Sequence, residues 1–402
     1  MSFTPEDASA RAVQLDPTPA AIAARLAERL AATAATRDVA GGTPKAERDL
    51  LRVSGLLRLS IPTEHGGLGA SWAETLGIVR QLARVDSSVA HVFAFHHLQL
   101  ASIRLFGAPA QYEPWLADTA RRDWFWGNAL NPLDKRTVAT RVAGGRVFSG
   151  RKSFCSGALD SDMLLASAVE DDAGGKLIIA AIPTRRAGIT LFEDWDNMGQ
   201  RQTDSGSASF EHVAVAENEI LSDPGPLSSP RACLRPLLAQ LIFVNVFLGI
   251  AEGAFAEARD YTRSQTRAWS ASPAAVATED PYILGHYGDF WVSLEATRKL
   301  ADHAVACFDA AWNEGLQLTE AGRGDVALAV ATAKVSATRG GLDLTSRIFE
   351  VTGARATTAA LRLDRFWRNL RVHTLHDPMD YKVRELGDWA LNGKYPTPSF
   401  YS

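Results

Sequence analysis

Cysteine is scarce in this 402-residue chain, which contains only Cys155, Cys233 and Cys307. The three residues lie far apart and no CxxC pair occurs, so a disulfide framework and a zinc cluster are both disfavoured. A small number of cysteines without disulfide spacing is typical of proteins in a reducing compartment, so we predict a cytoplasmic protein.

An excess of positive charge is also lacking, because 42 lysines and arginines oppose 46 acidic residues, for a formal net charge of -4. This balance argues against a nucleic-acid-binding surface. The first residues, MSFTPEDASARAVQLD, are acidic where a secretory signal has a basic and then an apolar segment, so we expect no such signal.

Nucleotide and hydrolase motifs are absent as well. The sequence has no GxGxxG after a strand-like segment and no GxxxxGK[ST], so it predicts neither a Rossmann site nor a P-loop. It has no HExxH and no GxSxG. If the protein carries out redox chemistry, its electrons are expected to come from outside the chain.

Only one long hydrophobic run occurs, at residues 236–256. Its length would span a bilayer, but Gln240, Asn245 and Glu252 interrupt it. We interpret the run as a buried helix of a bundle, and we predict no membrane association.

The pattern along the chain predicts an α+β protein of three units. Residues 1–123 have helical periodicity, residues 124–230 have short alternating runs broken by glycine, and residues 231–402 are helical again. The middle unit is predicted to be an antiparallel barrel or sandwich. The last unit is predicted to be a four-helix bundle, with segments near 232–268, 280–316, 320–350 and 357–392.

Histidines supply the clearest candidates for chemistry. His376 is followed by Asp377 near the end of a predicted helix, which suits either an acid/base centre or a polar surface. On an earlier helix His91, Phe95 and Leu98 share one face. The adjacent His96 and His97 have no carboxylate at ligand spacing, so we predict no metal site.

Two loops and one helix offer groups for a ligand, although each also fits an ordinary surface. The segment 151–162 presents serines beside Phe154, whose ring can stack on a planar molecule. The segment 194–207 has a similar composition. Arg263 and Arg267 share a helical face and suit a phosphate, or simply solvent.

Eight segments in combination resemble the flavin-dependent monooxygenase branch of the acyl-CoA dehydrogenase fold, from about residue 51 to the end of the chain. They are IPTEHGGLGASW (61–72), GRKSFCSG (150–157), DWDNMGQRQTDSGS (194–207), AQLIFVNVFLGIAEGA (239–254), YTRSQTRAW (261–269), FEVTGARAT (349–357), DRFWRNLRVHTLHDP (364–378) and LNGKYPTPSFYS (391–402).

The resemblance implies roles for particular residues. Arg267 and Arg368 are expected to contact the flavin phosphate, with Gly353 and Ala354 approaching it from a neighbouring subunit. The remaining flavin contacts are expected at Asn128, Lys152, Phe154, Ser156 and Trp195. The catalytic set is expected to be His376, Asp377, Ser156 and His91, and His91 is also expected on the substrate side. Apart from the resemblance, apolar walls for the substrate are expected from Phe95, Phe243, Phe247 and the FYS tail, with ordinary core packing as the alternative for Phe243 and Phe247. His373 is predicted to be structural.

The resemblance also implies an activity. Reduced FMN (or FAD), made by a separate NAD(P)H:flavin reductase, would combine with O2 at its C4a carbon. The resulting hydroperoxide would oxygenate a small apolar aromatic heterocycle, by sulfur oxidation of a dibenzothiophene-type compound or hydroxylation of an indole-type compound. The assembly is expected to be a homotetramer.

One departure from the resembling family is visible: Phe95 stands where close relatives carry a tyrosine, so a phenol hydrogen bond is missing. Two alternatives remain open from the sequence. One is an FAD-dependent acyl-CoA dehydrogenase, although His376 and Asp377 stand near the place where that enzyme needs a carboxylate base. The other is a non-catalytic flavin-binding scaffold, which an intact His–Asp pair disfavours.

Overall fold

The computed structural model describes residues 18–171 and 174–402. It begins with six helices, α1 to α6. Their bounds are Pro19–Ala31, Ala34–Ala40, Lys45–Ser54, Trp72–Ala83, Ser87–Phe106 and Pro109–Arg122.

Local sequence explains where these helices begin. Ser71 and Glu74 form a capping box at the start of α4, in which each side chain accepts a hydrogen bond from the other residue's backbone N–H. The Asp86 carboxylate accepts from the N–H of Val89 and so caps α5. These caps fix the direction of α5, the helix that carries His91.

A mixed sheet of seven strands follows. The strands β1 to β7 are Trp126–Ala129, Val138–Val142, Gly145–Lys152, Met163–Glu170, Leu177–Pro183, Ile189–Leu191 and Ala208–Ala216. One edge of β4 pairs with β5, and its other edge is shared between β1 and β2. From β2 the sheet continues through β3 and β7 to β6.

The prediction of a purely antiparallel unit is wrong for two of these pairings. β1 and β2 both run parallel to β4, whereas the other paired strands are antiparallel. The reason is topological. The β2–β3 hairpin intervenes between β1 and β4, so the chain returns to β4 in the same direction, which strand periodicity alone does not reveal.

The helical end unit contains α7 to α11, at Leu234–Ser264, Pro281–Glu314, Glu320–Thr352, Asp364–His373 and Met379–Asn392. The predicted fourth segment at 357–392 is therefore two helices. Pro378 explains the break, because the residue before a proline is driven away from helical backbone angles. The break places His376 and Asp377 in the connection between α10 and α11.

The helix α7 is the buried bundle helix that its sequence predicts. Among the described residues it alone is long and apolar enough to cross a membrane, and its most apolar window is entirely buried inside the protein. It packs against α4, α5 and α9, so the N-terminal helices and the bundle share one core. Leu165 and Ala181 belong to this core, whereas their neighbours Leu164 and Ile182, which point to the other face of the sheet, belong to a second core.

We predict that Gly253 is required for the contact between α7 and α4. An added Cβ would stand 2.0 Å from the carbonyl oxygen of Arg84, so Gly253→Ala should destabilise the fold by about 1–3 kcal/mol. Gly285→Ala in α8 is the matched control, because no heavy atom lies within 4 Å of its added Cβ. Alanine there should be neutral or stabilise by up to about 1 kcal/mol. Equal melting temperatures for the two variants would contradict the close packing.

Candidate active site

A cavity of about 600 Å³ lies where α5, the sheet, α7 and the end of α10 meet. The residues that line it come from every unit of the chain. They are His91, Phe95, Leu98, Asn128, Leu130, Asn131, Pro132, Leu133, Phe154, Ser156, Trp195, Asn197, Met198, Thr203, Ser205, Arg235, Ala239, Gln240, Phe243, Val372, His373, Leu375, His376, Phe400 and Tyr401.

The α5 wall of the cavity follows the helical period. His91, Phe95 and Leu98 line it together, as their shared face predicts. His96 points elsewhere, with one ring nitrogen 2.9 Å from the carbonyl of Leu57. His97 contacts the hydroxyl of Ser60. In the part of the chain that the structure describes, no group of side chains suits a metal ion.

Three imidazoles gather around the ring of Phe243. The His91 and His373 ring centroids lie 4.7 Å apart, and the His376 ring lies 4.7 Å from that of Phe243. His373, predicted to be structural, also lines the cavity. Its Nδ1 and that of His91 have no hydrogen-bond partner within the described residues.

Burial keeps two of these imidazoles neutral. It lowers the pKa of His91 to about 3, with a smaller contribution from His376. Burial also lowers the pKa of His373 well below its ordinary value. His376 differs because 39% of its side chain is exposed. It is therefore the imidazole best placed to exchange a proton with the cavity.

His376 is held by a buried charge pair. Its Nδ1 lies 3.0 Å from Oδ1 of Asp377, which also contacts the ammonium of Lys334. Lys334 contacts Gln240 as well. Burial alone would raise the pKa of Asp377, but the His376 hydrogen bond and Lys334 outweigh it and hold that pKa below its ordinary range. Because an ionised carboxylate only accepts hydrogen bonds, Nδ1 of His376 carries a proton and Nε2 is left for the cavity.

The sheet side of the cavity is rich in hydroxyl groups. Ser205 Oγ lies 2.7 Å from Ser156 Oγ and 2.8 Å from Thr203 Oγ1. The Asn128 side chain is fixed beside them, because its Oδ1 accepts from the Gln99 amide at 3.2 Å. The wall therefore offers both donors and acceptors to the polar edge of a ligand.

Two aromatic side chains stand at the mouth of this wall. Phe154 is 57% exposed and lies 5.9 Å from Trp195 in an edge-to-face contact. Phe154 also holds a left-handed backbone angle, φ +60°, which is unfavourable for a residue with a side chain. The strained backbone presents a large apolar ring beside polar edge groups, as a planar heterocycle requires.

Several residues predicted to bind flavin do not line this cavity. Lys152 is buried beneath it and donates to the carbonyls of Asn131 and Asp134, so it shapes the lining loop. Arg368 is paired with Asp38 and Asp364, and it donates to the Met198 carbonyl. These carboxylates hold the Arg368 guanidinium in place, and its contact with the flavin phosphate stays a prediction.

Phe247, predicted to contact substrate, is also outside the lining. It is buried behind Phe243, at a centroid distance of 5.8 Å, and supports that ring.

Arg267, Gly353 and Ala354 lie together, away from the chain's own cavity. Arg267 follows the end of α7, and Gly353 and Ala354 follow the end of α9. The two ends are tied by Arg355, which donates to the Gln265 carbonyl at 2.9 Å. Their predicted contact with the flavin of a neighbouring copy stays a prediction.

Sequence reasoning missed the charged residues Arg235 and Lys334, and it did not single out Gln240, Thr203 or Ser205. Both charged residues belong to long helices, where a lone cation is normally on the surface. Their only available signal is position: Arg235 precedes the apolar run of α7 by one residue, and Lys334 lies in an alanine-rich part of α9.

Comparison with known proteins places the chain in a family. Residues 19–123 match the acyl-CoA dehydrogenase N-terminal domain, and residues 241–381 match the acyl-CoA dehydrogenase C-terminal domain. The chain belongs to the acyl-CoA dehydrogenase family.

Relatives of high identity narrow the class. A probable FMNH2-dependent monooxygenase, SfnC of Pseudomonas putida, is 63% identical, over 97% of this chain and 99% of that one. The dibenzothiophene monooxygenase of Rhodococcus qingshengii is 43% identical over the whole length of both chains.

Two solved structures agree closely. Methanesulfinate monooxygenase MsuC from Pseudomonas fluorescens superimposes with a TM-score of 0.95 at 64% identity, covering 96% of this chain and 100% of that one. TdsC from Paenibacillus sp. A11-2, in complex with FMN and indole, gives a TM-score of 0.90 at 42% identity, with coverage of 95% and 98%. The chain is a flavin-dependent monooxygenase that uses reduced FMN.

The described residues fit FMN. Ser156, Thr203, Ser205 and Asn128 can hydrogen-bond the polar edge of its ring, and Phe154 with Trp195 can pack on the ring. When bound, reduced FMN supplies the electrons that activate O2. The protein contributes an apolar chamber that excludes water. It also contributes Nε2 of His376, which the contact between Nδ1 and Asp377 leaves available to the cavity for moving a proton.

We predict that Lys334 sets the alkaline limit of activity. Burial lowers the pKa of Lys334 to about 8, against the opposing effect of Asp377. Below pH 8 the ammonium is present and stabilises the Asp377 carboxylate. Above pH 8 it is lost, so kcat/KM should fall as pH rises. Lys334→Gln should lower kcat/KM at pH 7 by ~10-fold, the effect of one charged hydrogen bond, and abolish this alkaline limb.

Lys299→Gln is the matched control, since Lys299 is exposed on α8 and outside the cavity. A wild-type profile that stays flat between pH 7 and pH 9.5 would rule out this role for Lys334.

Proposed function

We propose that this enzyme oxygenates an organosulfur compound at sulfur, with reduced FMN delivered by a separate NAD(P)H:flavin reductase. The observation that carries the proposal is the cavity that His376 and the hydroxyl-rich sheet wall line together, with Asp377 holding the His376 ring from behind the lining. Two relatives named above are monooxygenases of sulfur compounds, a sulfinate and a thiophene.

The stoichiometry needs one reduced flavin and one O2 for each substrate. The sulfur lone pair forms a new S–O bond with one oxygen atom, and the O–O bond breaks. The second oxygen atom leaves as water with two hydrogens from the reduced flavin. His376 Nε2 is positioned to deliver or accept the proton that this step moves.

Oxygenation of an aromatic ring is a second candidate. Phe95, Phe243 and Phe400 give the cavity aromatic walls, which suit a fused ring such as indole or dibenzothiophene. The solved TdsC complex contains indole together with FMN. Phe95 and Phe243 are in mutual edge contact at 5.8 Å, so a flat substrate would lie against this pair.

We predict product formation only in the complete system. The purified chain, an NAD(P)H:flavin reductase, FMN and ¹⁸O2 should convert methanesulfinate to methanesulfonate or dibenzothiophene to its sulfoxide. Mass spectrometry should detect one ¹⁸O atom in each product molecule per step. Indole, tested in parallel, distinguishes the second candidate.

His376→Ala is the informative variant for this assay. Product formation should fall by at least ~10²-fold, the lower range for a general acid or base. Formation of H2O2 without oxygenated product from any of the three compounds would count against the proposed function. Near-normal product from His376→Ala would remove that residue from the mechanism.

We also propose that the working assembly is a homotetramer, with Arg267, Gly353 and Ala354 completing the flavin site of a neighbour. What supports it is their position outside the chain's own cavity and the suitability of arginine for phosphate.

Light scattering should therefore give four times the chain mass of 43.4 kDa. Arg267→Gln should raise the reduced-FMN concentration needed for half-maximal rate by ~10-fold, as loss of a charged hydrogen bond predicts. Arg29→Gln, on the exposed face of α1, is the control. A stable, active monomer would contradict both statements.

A further inference from the structure

Arg235 occupies an unusual position at the start of α7. It is only 6% exposed, yet it lines the cavity. Its Nε donates to the hydroxyl of Ser102 at 3.2 Å. Ser102 lies on α5 one turn beyond Leu98, so Arg235 extends the wall formed by His91, Phe95 and Leu98.

The guanidinium of Arg235 lacks a charged partner. Within the described ranges, no carboxylate lies at salt-bridge distance from it, and its two terminal nitrogens make no hydrogen bond to protein. Two equally buried arginines show the usual arrangement: Arg48 contacts Asp160 and Asp204, and Arg146 contacts Glu170. A buried charge without a partner is costly, so the absence of one at Arg235 requires an explanation.

The terminal nitrogens of Arg235 are open to the cavity. Arg323, another buried arginine without a carboxylate partner, has its Nε and Nη2 sealed from solvent with no hydrogen bond. No atom of Arg235 is sealed in that way, so its unpaired N–H groups face accessible space.

The side chains around Arg235 in the cavity wall carry no other permanent charge. Among the residues lining the cavity there is no aspartate, glutamate or lysine, so Arg235 carries the only permanent charge of that wall. Burial lowers the pKa of Arg235 to about 10, which leaves it cationic at neutral pH. On α7, Arg235, Ala239 and Phe243 are spaced four apart and all line the chamber, with Phe243 next to His376.

We propose that Arg235 binds the anionic group of the substrate, and that the substrate class is an organic sulfinate. A sulfinate has two oxygens that match the planar fork of a guanidinium, and its sulfur keeps the lone pair that accepts an oxygen atom. The inference rests on the proposed sulfur oxygenation and assigns its specificity-determining residue. A neutral thiophene would leave the guanidinium unpaired.

The test compares a charged and a neutral substrate. Arg235→Gln should lower kcat/KM for methanesulfinate by about 10-fold to 100-fold, chiefly through KM, because charged hydrogen bonds are lost. The same variant should change kcat/KM for dibenzothiophene by less than ~2-fold and leave the dependence on reduced FMN unchanged. Arg235→Lys should restore part of the methanesulfinate activity.

Arg231→Gln is the matched control, because Arg231 lies one turn earlier, is partly exposed and stacks over Trp312 outside the cavity. It should match the wild type on both substrates. Melting temperatures verify that each variant is folded.

A binding measurement separates this inference from the proposed function. Methanesulfonate is an unreactive anion of similar shape, and calorimetry should show that it binds the wild type and not Arg235→Gln. Dimethyl sulfone, which is isosteric but neutral, should show no difference in affinity between the two proteins. This comparison holds even if no substrate is turned over. If Arg235→Gln does not fold, preference of the wild type for methanesulfonate over dimethyl sulfone still decides the question.

Three results would overturn the role of Arg235. The first is unchanged methanesulfinate kinetics in Arg235→Gln. The second is an equal loss on methanesulfinate and dibenzothiophene. The third is weakened FMN use at unchanged methanesulfonate affinity, which would assign the guanidinium to the flavin.

Discussion

The burial of residues 234–254, the first two thirds of α7, is the constraint on which the cavity depends. This helix packs against α4, α5 and α9, and its glycines allow the α4 backbone to approach closely. Because this part of α7 is enclosed on all sides, packing fixes the orientation of the helix. That orientation sends Arg235, Ala239, Gln240 and Phe243 into one chamber.

The chemistry of the chamber follows from what is charged within and beside it. The Asp377 carboxylate is buried between His376 and Lys334, and it fixes the proton on Nδ1 of His376. His91 and His373 are kept neutral by burial, so they add polarity without charge. His376 is therefore the imidazole placed to move a proton, whereas His91 and His373 provide only hydrogen-bonding capacity.

Several features could be predicted from the sequence because they depend on neighbours along the chain. The capping box at Ser71, the shared face of His91, Phe95 and Leu98, and the buried helix at residues 236–256 all rest on local spacing. The resemblance of eight segments to a known family predicted the fold and the use of reduced flavin. Strand direction was not predictable, because β4 pairs with β1 across an intervening hairpin.

The sequence by itself determined the long helices α5, α7, α8 and α9, the apolar face of α5 and the His376–Asp377 pair, because each depends on residues a few positions apart. Only the tertiary structure decided that His373 lines the cavity, that Lys334 reaches Asp377 from α9, and that Arg368 forms an ion pair with Asp38. It also decided that Arg235 is buried without a carboxylate. The physical reason is that burial and charge pairing are set by contacts between distant segments. The residues next to a lone cation on a helix do not show whether it will be buried or which carboxylate it will contact.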